Sequence, residues 1–241
     1  MSIESVLKSY MVIDLTHRLE EEMPKPQVPY GHIPWKSYAK GDAFNTNMFL
    51  VFEHAGTHVD APIHLGGVVG PSIDQIPPER WMGTCSVLDM SHKGENEEVT
   101  AQEIKDWEKE HGLIEEDSIA LFHYGWEKHW TTAHGVENQP YLQNNPGLSE
   151  DAAMLLVKRG VKLVGGDTPT IDSDANPTEP AHRVLLPKHV LVLENAKNLG
   201  KLPPKDAYFI GLPLPIKEGT GCPVRAIALV PRVNVVERSS K

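Results

Sequence analysis

The sequence predicts a mixed α/β fold in one domain spanning residues 1–241. Three observations carry that expectation. Apolar runs of strand length outnumber the helical segments, helices lie between some of them, and 20 prolines and 19 glycines are spread along the chain. That last feature suits many short elements joined by turns.

Taken in order, residues 12–15 read as a strand and residues 21–46 as an irregular excursion with several prolines. Residues 46–52 alternate enough to form a strand that runs into a histidine cluster. Residues 85–89 form another strand. Thr100 and Glu103 make a T-x-x-E capping box that opens a helix, and Gly112 closes it. The apolar run 118–122 reads as a buried strand. A second helix opens at Ser149, where Glu150 and Asp151 favour its positive end, and stops at Gly160. Strands follow at 161–164, 190–193, 208–212 and 226–230.

Composition narrows the function classes. Hydrophobic residues make up 40% of the chain, enough for a packed core in a protein of this length. The net charge of -10 repels phosphate backbones, and no basic stripe offsets it, so nucleic acid is not an expected partner. Cys85 and Cys222 stand far apart in no CxxC pair, which rules out a disulfide framework or a cysteine zinc site. The first fifteen residues lack a secretory leader pattern, and no apolar run reaches membrane-span length, so a cytoplasmic protein is the expectation. Motifs for other chemistries are absent: G-x-S-x-G, H-E-x-x-H and the glycine-rich phosphate loops do not occur.

Histidine is over-used, with 12 residues, and four chemically active side chains fall together in His54-Ala-Gly-Thr-His58-Val-Asp60-Ala-Pro-Ile-His64. All four occupy even positions, so an extended chain puts them on one face. A straight strand would still hold His54 and Asp60 about 20 Å apart, against ligand bonds of about 2 Å. One helix would bring His54 to His58 but turn Asp60 away. The chain must therefore bend, and Gly56 and Pro62 permit it. Two imidazoles and a carboxylate form the ligand set of many catalytic zinc, manganese and iron sites. His64, four residues beyond Asp60 on the same bent face, is the candidate general acid/base.

The string matches H-x-G-T-H-x-D-x-P-x-H, and on it the chain resembles the cyclase family of metal-dependent hydrolases, which includes bacterial kynurenine formamidase and isatin hydrolase. Asp14-Leu-Thr-His17, Asn145-Pro-Gly-Leu-Ser149, Gly165-Gly-Asp-Thr-Pro-Thr-Ile-Asp172, Leu212-Pro-Leu-Pro-Ile216 and Pro223-Val-Arg-Ala226 extend the likeness over nearly the whole chain. It implies a compact β/β/α swivelling domain with a mixed sheet, assembled as a homodimer or homotetramer. It also implies one or two divalent ions per subunit, zinc or manganese. One ion would sit on His54, His58 and Asp60, the other on Asp60, His182 and Glu194, with Asp60 bridging. The implied reaction is hydrolysis of an amide, formamide or lactam C–N bond in a small aromatic substrate, as in an arylformamidase. The alternatives are an isatin hydrolase-like or lactone-opening activity, and, in another class, a metal-binding protein without catalysis.

The sequence departs from the family pattern at Thr170, at Cys222 and at His123-Tyr-Gly-Trp126, and residues 127–145 lengthen the chain. His17 reads as structural. Asp167 and Asp172 are candidates either to support ligands from behind or to cap turns beside Pro169, and the five tryptophans offer either core or a substrate wall.

Overall fold

The structure, a computed structural model, describes residues 2–26, 28–132 and 139–232. In chain order its strands are β1 (Tyr10–Asp14), β2 (Gly31–Lys36), β3 (Thr46–Leu50), β4 (His58–Asp60), β5 (Met82–Asp89), β6 (Glu98–Val99), β7 (Ile119–His123), β8 (Gly147–Leu148), β9 (Leu163–Gly166), β10 (Leu191–Glu194), β11 (Ala207–Ile210), β12 (Gly221–Pro223) and β13 (Ile227–Pro231). The helices are α1 (Ile3–Leu7), α2 (Ala101–His111), α3 (Glu150–Arg159) and α4 (Pro180–Leu185).

Nine strands form one mixed sheet in the order β1-β13-β11-β5-β7-β9-β10-β4-β12. Its centre, β5-β7-β9-β10, is parallel, and both flanks are antiparallel. Parallel strands are buried on both faces and so read as continuous apolar runs. In β7, Ile119 and Leu121 join one core cluster while Ala120 and Phe122 join the other. The same alternation sends Leu163 and Val164, and Leu191 and Val192, to opposite faces.

Helices α2, α3 and α4 supply side chains to one of those clusters. The expected capping box is present: Thr100 Oγ1 accepts from Glu103 N–H, and Glu103 accepts from Thr100 N–H at 2.9 Å. Ser149 caps α3, and Gly160 ends it at φ 73°. Arg159 on α3 grips Glu108 on α2 through two bonds of 2.7 and 2.6 Å, fixing the two helices to each other.

The expected strands appear within a few residues of their predicted bounds, with one difference of substance. β3 does not run on through the histidine cluster as a strand of the main sheet. It pairs instead with β2, inside the segment read as irregular, to make a separate two-stranded ribbon. Pro34 obscured β2, because a proline lacks the N–H a ladder needs. It is tolerated here because the register shifts between Pro34 and Lys36. The ribbon is exposed on both faces, so it also lacks the alternation that marks a half-buried strand.

Among the described residues, no helix is long and apolar enough to cross a membrane. Residues 133–138 of the expected insertion at 127–145 lie outside the described residues.

Candidate metal centre

Three devices gather the histidine cluster. Gly56, at φ 62°, turns the chain between His54 and His58, and a Cβ there would meet Leu19 Cδ2 at 2.5 Å. His58 and Asp60 then stand two apart on β4, side by side on one face. A 3-10 turn from Pro62 to His64 brings His64 back until its ring stacks on His54 at 3.9 Å. The bend deduced from spacing is therefore real, and its two corner residues are those expected.

The sheet delivers the rest. β10 pairs with β4 so that Glu194 lies opposite His58, and β12 pairs with the other edge of β4 so that Gly221 lies opposite Asp60. Gly221 has to be glycine on packing grounds, since a Cβ would come within 2.4 Å of the His54 ring. His182 arrives as the third residue of α4. All six candidate residues, His54, His58, Asp60, His64, His182 and Glu194, thus meet at one place.

The hydrogen bonds at the back of each ring fix what its front presents. His182 Nδ1–H donates to Asp172 Oδ2 at 2.6 Å, leaving bare Nε2 at 3.6 Å from Asp60 Oδ2 and 3.3 Å from Glu194 Oε1. Asp172 is itself held by the backbone N–H groups of Ala181 and His182. His58 Nδ1–H donates to Gly56 O at 2.9 Å, leaving Nε2 at 3.3 Å from Glu194 Oε2 and 3.5 Å from Asp60 Oδ1. Thr220 spends its hydroxyl proton on Glu53 at 2.6 Å and accepts from His54 Nε2–H at 2.9 Å. That leaves His54 Nδ1 facing Asp60 Oδ1 at 2.7 Å.

Three imidazole lone pairs and two carboxylates therefore point at one another, with acceptors facing acceptors. His58 Nε2 and Asp60 Oδ2 are buried without a hydrogen-bond partner. Unpaired buried polar atoms of this kind are costly, and a cation relieves all of them at once. Donor atoms of His54, Asp60 and His64 lie within 4.8 Å of one another, as do those of His58, Asp60 and Glu194. Nitrogen and oxygen donors of this type suit zinc or manganese.

In the protein alone, protons stand in for that cation. Burial opposes charge on His58, but Asp60 and then Glu194 raise its pKa to about 9. His182 is likewise raised well above its ordinary value, against burial, by Asp172, Asp60 and Glu194. Burial would raise both carboxylates, yet the imidazoles hold Asp60 well below the usual range and bring Glu194 to about 2. The cluster demands positive charge. His64 differs: burial lowers its pKa, so it is a neutral base at pH 7.

A cavity of about 540 Å3 opens beside the cluster, with Phe52, Leu65, Leu142 and Leu186 among its apolar lining and Lys25, Glu179 and Arg183 among its charged lining. The tryptophans do not line it. Trp81, Trp107 and Trp126 are buried, and Trp35 is exposed on the ribbon. His17 also stays out, stacked on Trp130 at 3.8 Å. Asp172 fills the supporting place expected of it, whereas Asp167 accepts the N–H groups of Tyr124 and Trp126 and has no contact with the cluster among its hydrogen bonds. Cys222 is in the core opposite Val59, and His123 pairs with Asp89 at 3.3 Å, outside the cavity lining.

Sequence reasoning missed Thr220 and Glu53, whose bonds orient His54. No local pattern signals them, because only the pairing of β12 with β4 brings residue 220 to the site.

Comparison with known proteins follows the same lines. Residues 13–173 match the cyclase family model described as "Putative cyclase". The chain is 33% identical to an isatin hydrolase from Roseibium aggregatum over 207 residues, covering 80% of this chain and 77% of that one. It is 25% identical to a kynurenine formamidase from Bacillus cereus, covering 92% and 98% of the two chains. Its structure is similar to that of isatin hydrolase A from Ralstonia solanacearum, with a TM-score of 0.85 at 29% identity over 95% and 98% of the two chains.

Proposed function

This chain belongs to the cyclase family of metal-dependent hydrolases, and on that premise we propose that it hydrolyses an amide C–N bond of a small aromatic substrate at the His54–His58–Asp60–His182–Glu194 cluster. The observation that carries the reading is the set of facing acceptors, with His58 Nε2 and Asp60 Oδ2 left unpartnered in a buried site. One or two ions per chain, zinc or manganese, match the donors.

When bound, a divalent cation supplies Lewis acidity, polarising a carbonyl and lowering the pKa of water from about 15.7 to about 7. The protein's own groups do the rest. Asp172 and the Thr220–Glu53 pair hold the rings of His182 and His54 in the tautomers that leave lone pairs facing inward. His64 takes a proton from the attacking water on a ring nitrogen and returns it to the departing nitrogen as the C–N bond breaks. Such acid–base work is worth roughly 10² to 10⁴ in rate. Phe52, Leu142 and Leu186 give the ring of the substrate an apolar wall.

Two substrate types fit. An isatin-type lactam is favoured by the higher identity to an isatin hydrolase, and an N-formyl arylamine by the similarity to kynurenine formamidases. We read the chain as one domain over 1–241. We also read it as a homo-oligomer, supported by the exposed apolar ribbon, and as a cytoplasmic enzyme, supported by two buried free cysteines, Cys85 and Cys222.

The test is turnover of isatin and formanilide by metal-loaded protein. Hydrolysis of at least one, abolished by a chelator and restored by zinc or manganese, is expected. Turnover that survives metal removal would defeat the reading.

A further inference from the structure

We propose that Lys25 and Arg183 form a carboxylate-binding subsite in the cavity beside the cluster, so that the favoured substrates are aryl amides bearing a carboxylate. This rests on the amide-hydrolase reading for the reaction but not for the binding.

Lys25 is only 6% exposed, yet it lines the cavity. Its position is built rather than incidental. Gln139, itself buried, accepts from Lys25 N–H at 3.0 Å and donates to Met23 O, pinning the segment from both sides. The ammonium has three protons to donate, and among the described residues it donates to the carbonyl of Glu21. The lysine ion pairs among the described residues belong to Lys8, Lys93, Lys109 and Lys162. A buried ammonium with no counter-ion among the described residues is costly, and the natural relief is an anion that enters through the cavity.

Arg183 supplies a second cation on the same lining. Its Nε–H is spent on Thr178 O at 2.6 Å, and the arginine ion pairs among the described residues are those of Arg159 and Arg225. Its planar fork suits a carboxylate. Glu179 also lines the cavity, but it is within ion-pair distance of neither cation, and it is one charge against two. Asp60 and Glu194 are engaged by the imidazoles. Phe52, Leu142 and Leu186 lie on the same lining, which offers an aromatic ring apolar contact in the cavity that the cluster and the two cations also line.

Two matched pairs test this: formanilide against 3-formamidobenzoate, and isatin against isatin-5-carboxylate, with metal-loaded full-length protein. A preference of tenfold or more in kcat/KM for the carboxylated member of whichever pair turns over is expected. Lys25→Met should shrink that preference at least tenfold, and Lys25→Arg should keep it. Separately, calorimetric titration with 3-aminobenzoate should give a Kd weakened at least tenfold by Lys25→Met and by Arg183→Ala. Arg183 is exposed, so that arm stands even if the lysine variant fails to fold. No preference in the wild type, or a Kd within twofold of wild type in the folded variants, would overturn the subsite. Binding of 3-aminobenzoate that depends on Lys25 without turnover of any of the four amides would support the subsite and sink the hydrolase reading alone.

Discussion

His64 and Asp60 sit within a few residues of each other but carry different burdens. Asp60 is fully buried and touches three imidazoles. His64 stacks on His54 and opens on the cavity. His64→Ala should therefore keep its metal while kcat falls by roughly 10² to 10⁴, the range for a lost general acid/base. Full turnover in a purified, metal-replete His64→Ala protein would remove that residue from the chemistry. His17 is a separate titration. Burial, then the charge of Lys197, lowers its pKa to about 3, against the opposing pull of the Ala196 carbonyl and Asp14. Between about pH 6.5 and 3 the unfolded chain takes up a proton that the native chain refuses. Stability is thus fully present above about 6.5 and falls with pH by about 1.4 kcal/mol per unit from this group. Thermal melts from pH 4.5 to 7 should fall less steeply for His17→Phe, which keeps a ring on Trp130 and has no proton to gain; parallel slopes would refute this. At this scale the sequence was informative wherever chemistry repeats locally. The spacing from His54 to His64 announced a bent cluster, and Asp172 was suspected from its place in the Gly165–Asp172 stretch of the family pattern. Lys25 and Thr220 were not legible, because what matters about them is a buried environment assembled from distant segments.

Secondary elements were legible in proportion to their burial. The strands β7, β9 and β10 are covered on both faces and read as unbroken apolar runs, and the capped helices α2 and α3 announce their own ends. The short strand β4 was invisible as a strand, since three residues give no period. Its identity comes from its neighbours β10 and β12, which set the register that brings Glu194 to His58. The ribbon β2–β3 was half read, because Pro34 hides one strand and exposure removes the alternation of the other. That ribbon makes its own prediction. Ile33, Trp35, Phe44, Phe49 and Leu50 are each more than half exposed, an apolar surface unusual on a monomer, and a two-stranded ribbon is at best marginal by itself. It leads back through Phe52 to the cavity wall. A Trp35→Glu/Phe49→Glu double variant should shift the mass measured by light scattering from an oligomer to a monomer. A wild-type chain that is already monomeric at micromolar concentration would contradict the assembly.

Across the whole molecule, a nine-stranded sheet sets Glu194 opposite His58, 136 positions away in sequence, and its logic is electrostatic. The chain carries a net charge of -10, and at its centre two buried carboxylates draw protons onto imidazoles that would otherwise stay neutral. A divalent ion in place of those protons would be held by donors that include His58 Nε2 and Asp60 Oδ2, the two atoms left unpartnered. Metal binding should accordingly release protons and stabilise the fold, since the site is not preformed in the unfolded chain. Metal content per chain, measured on wild-type and Asp60→Ala protein purified without added metal, addresses this most directly. One or two equivalents of zinc or manganese in the wild type and almost none in the variant are predicted. Equal metal in the two proteins, or a wild-type chain that takes up none even when zinc and manganese are supplied, would contradict the account.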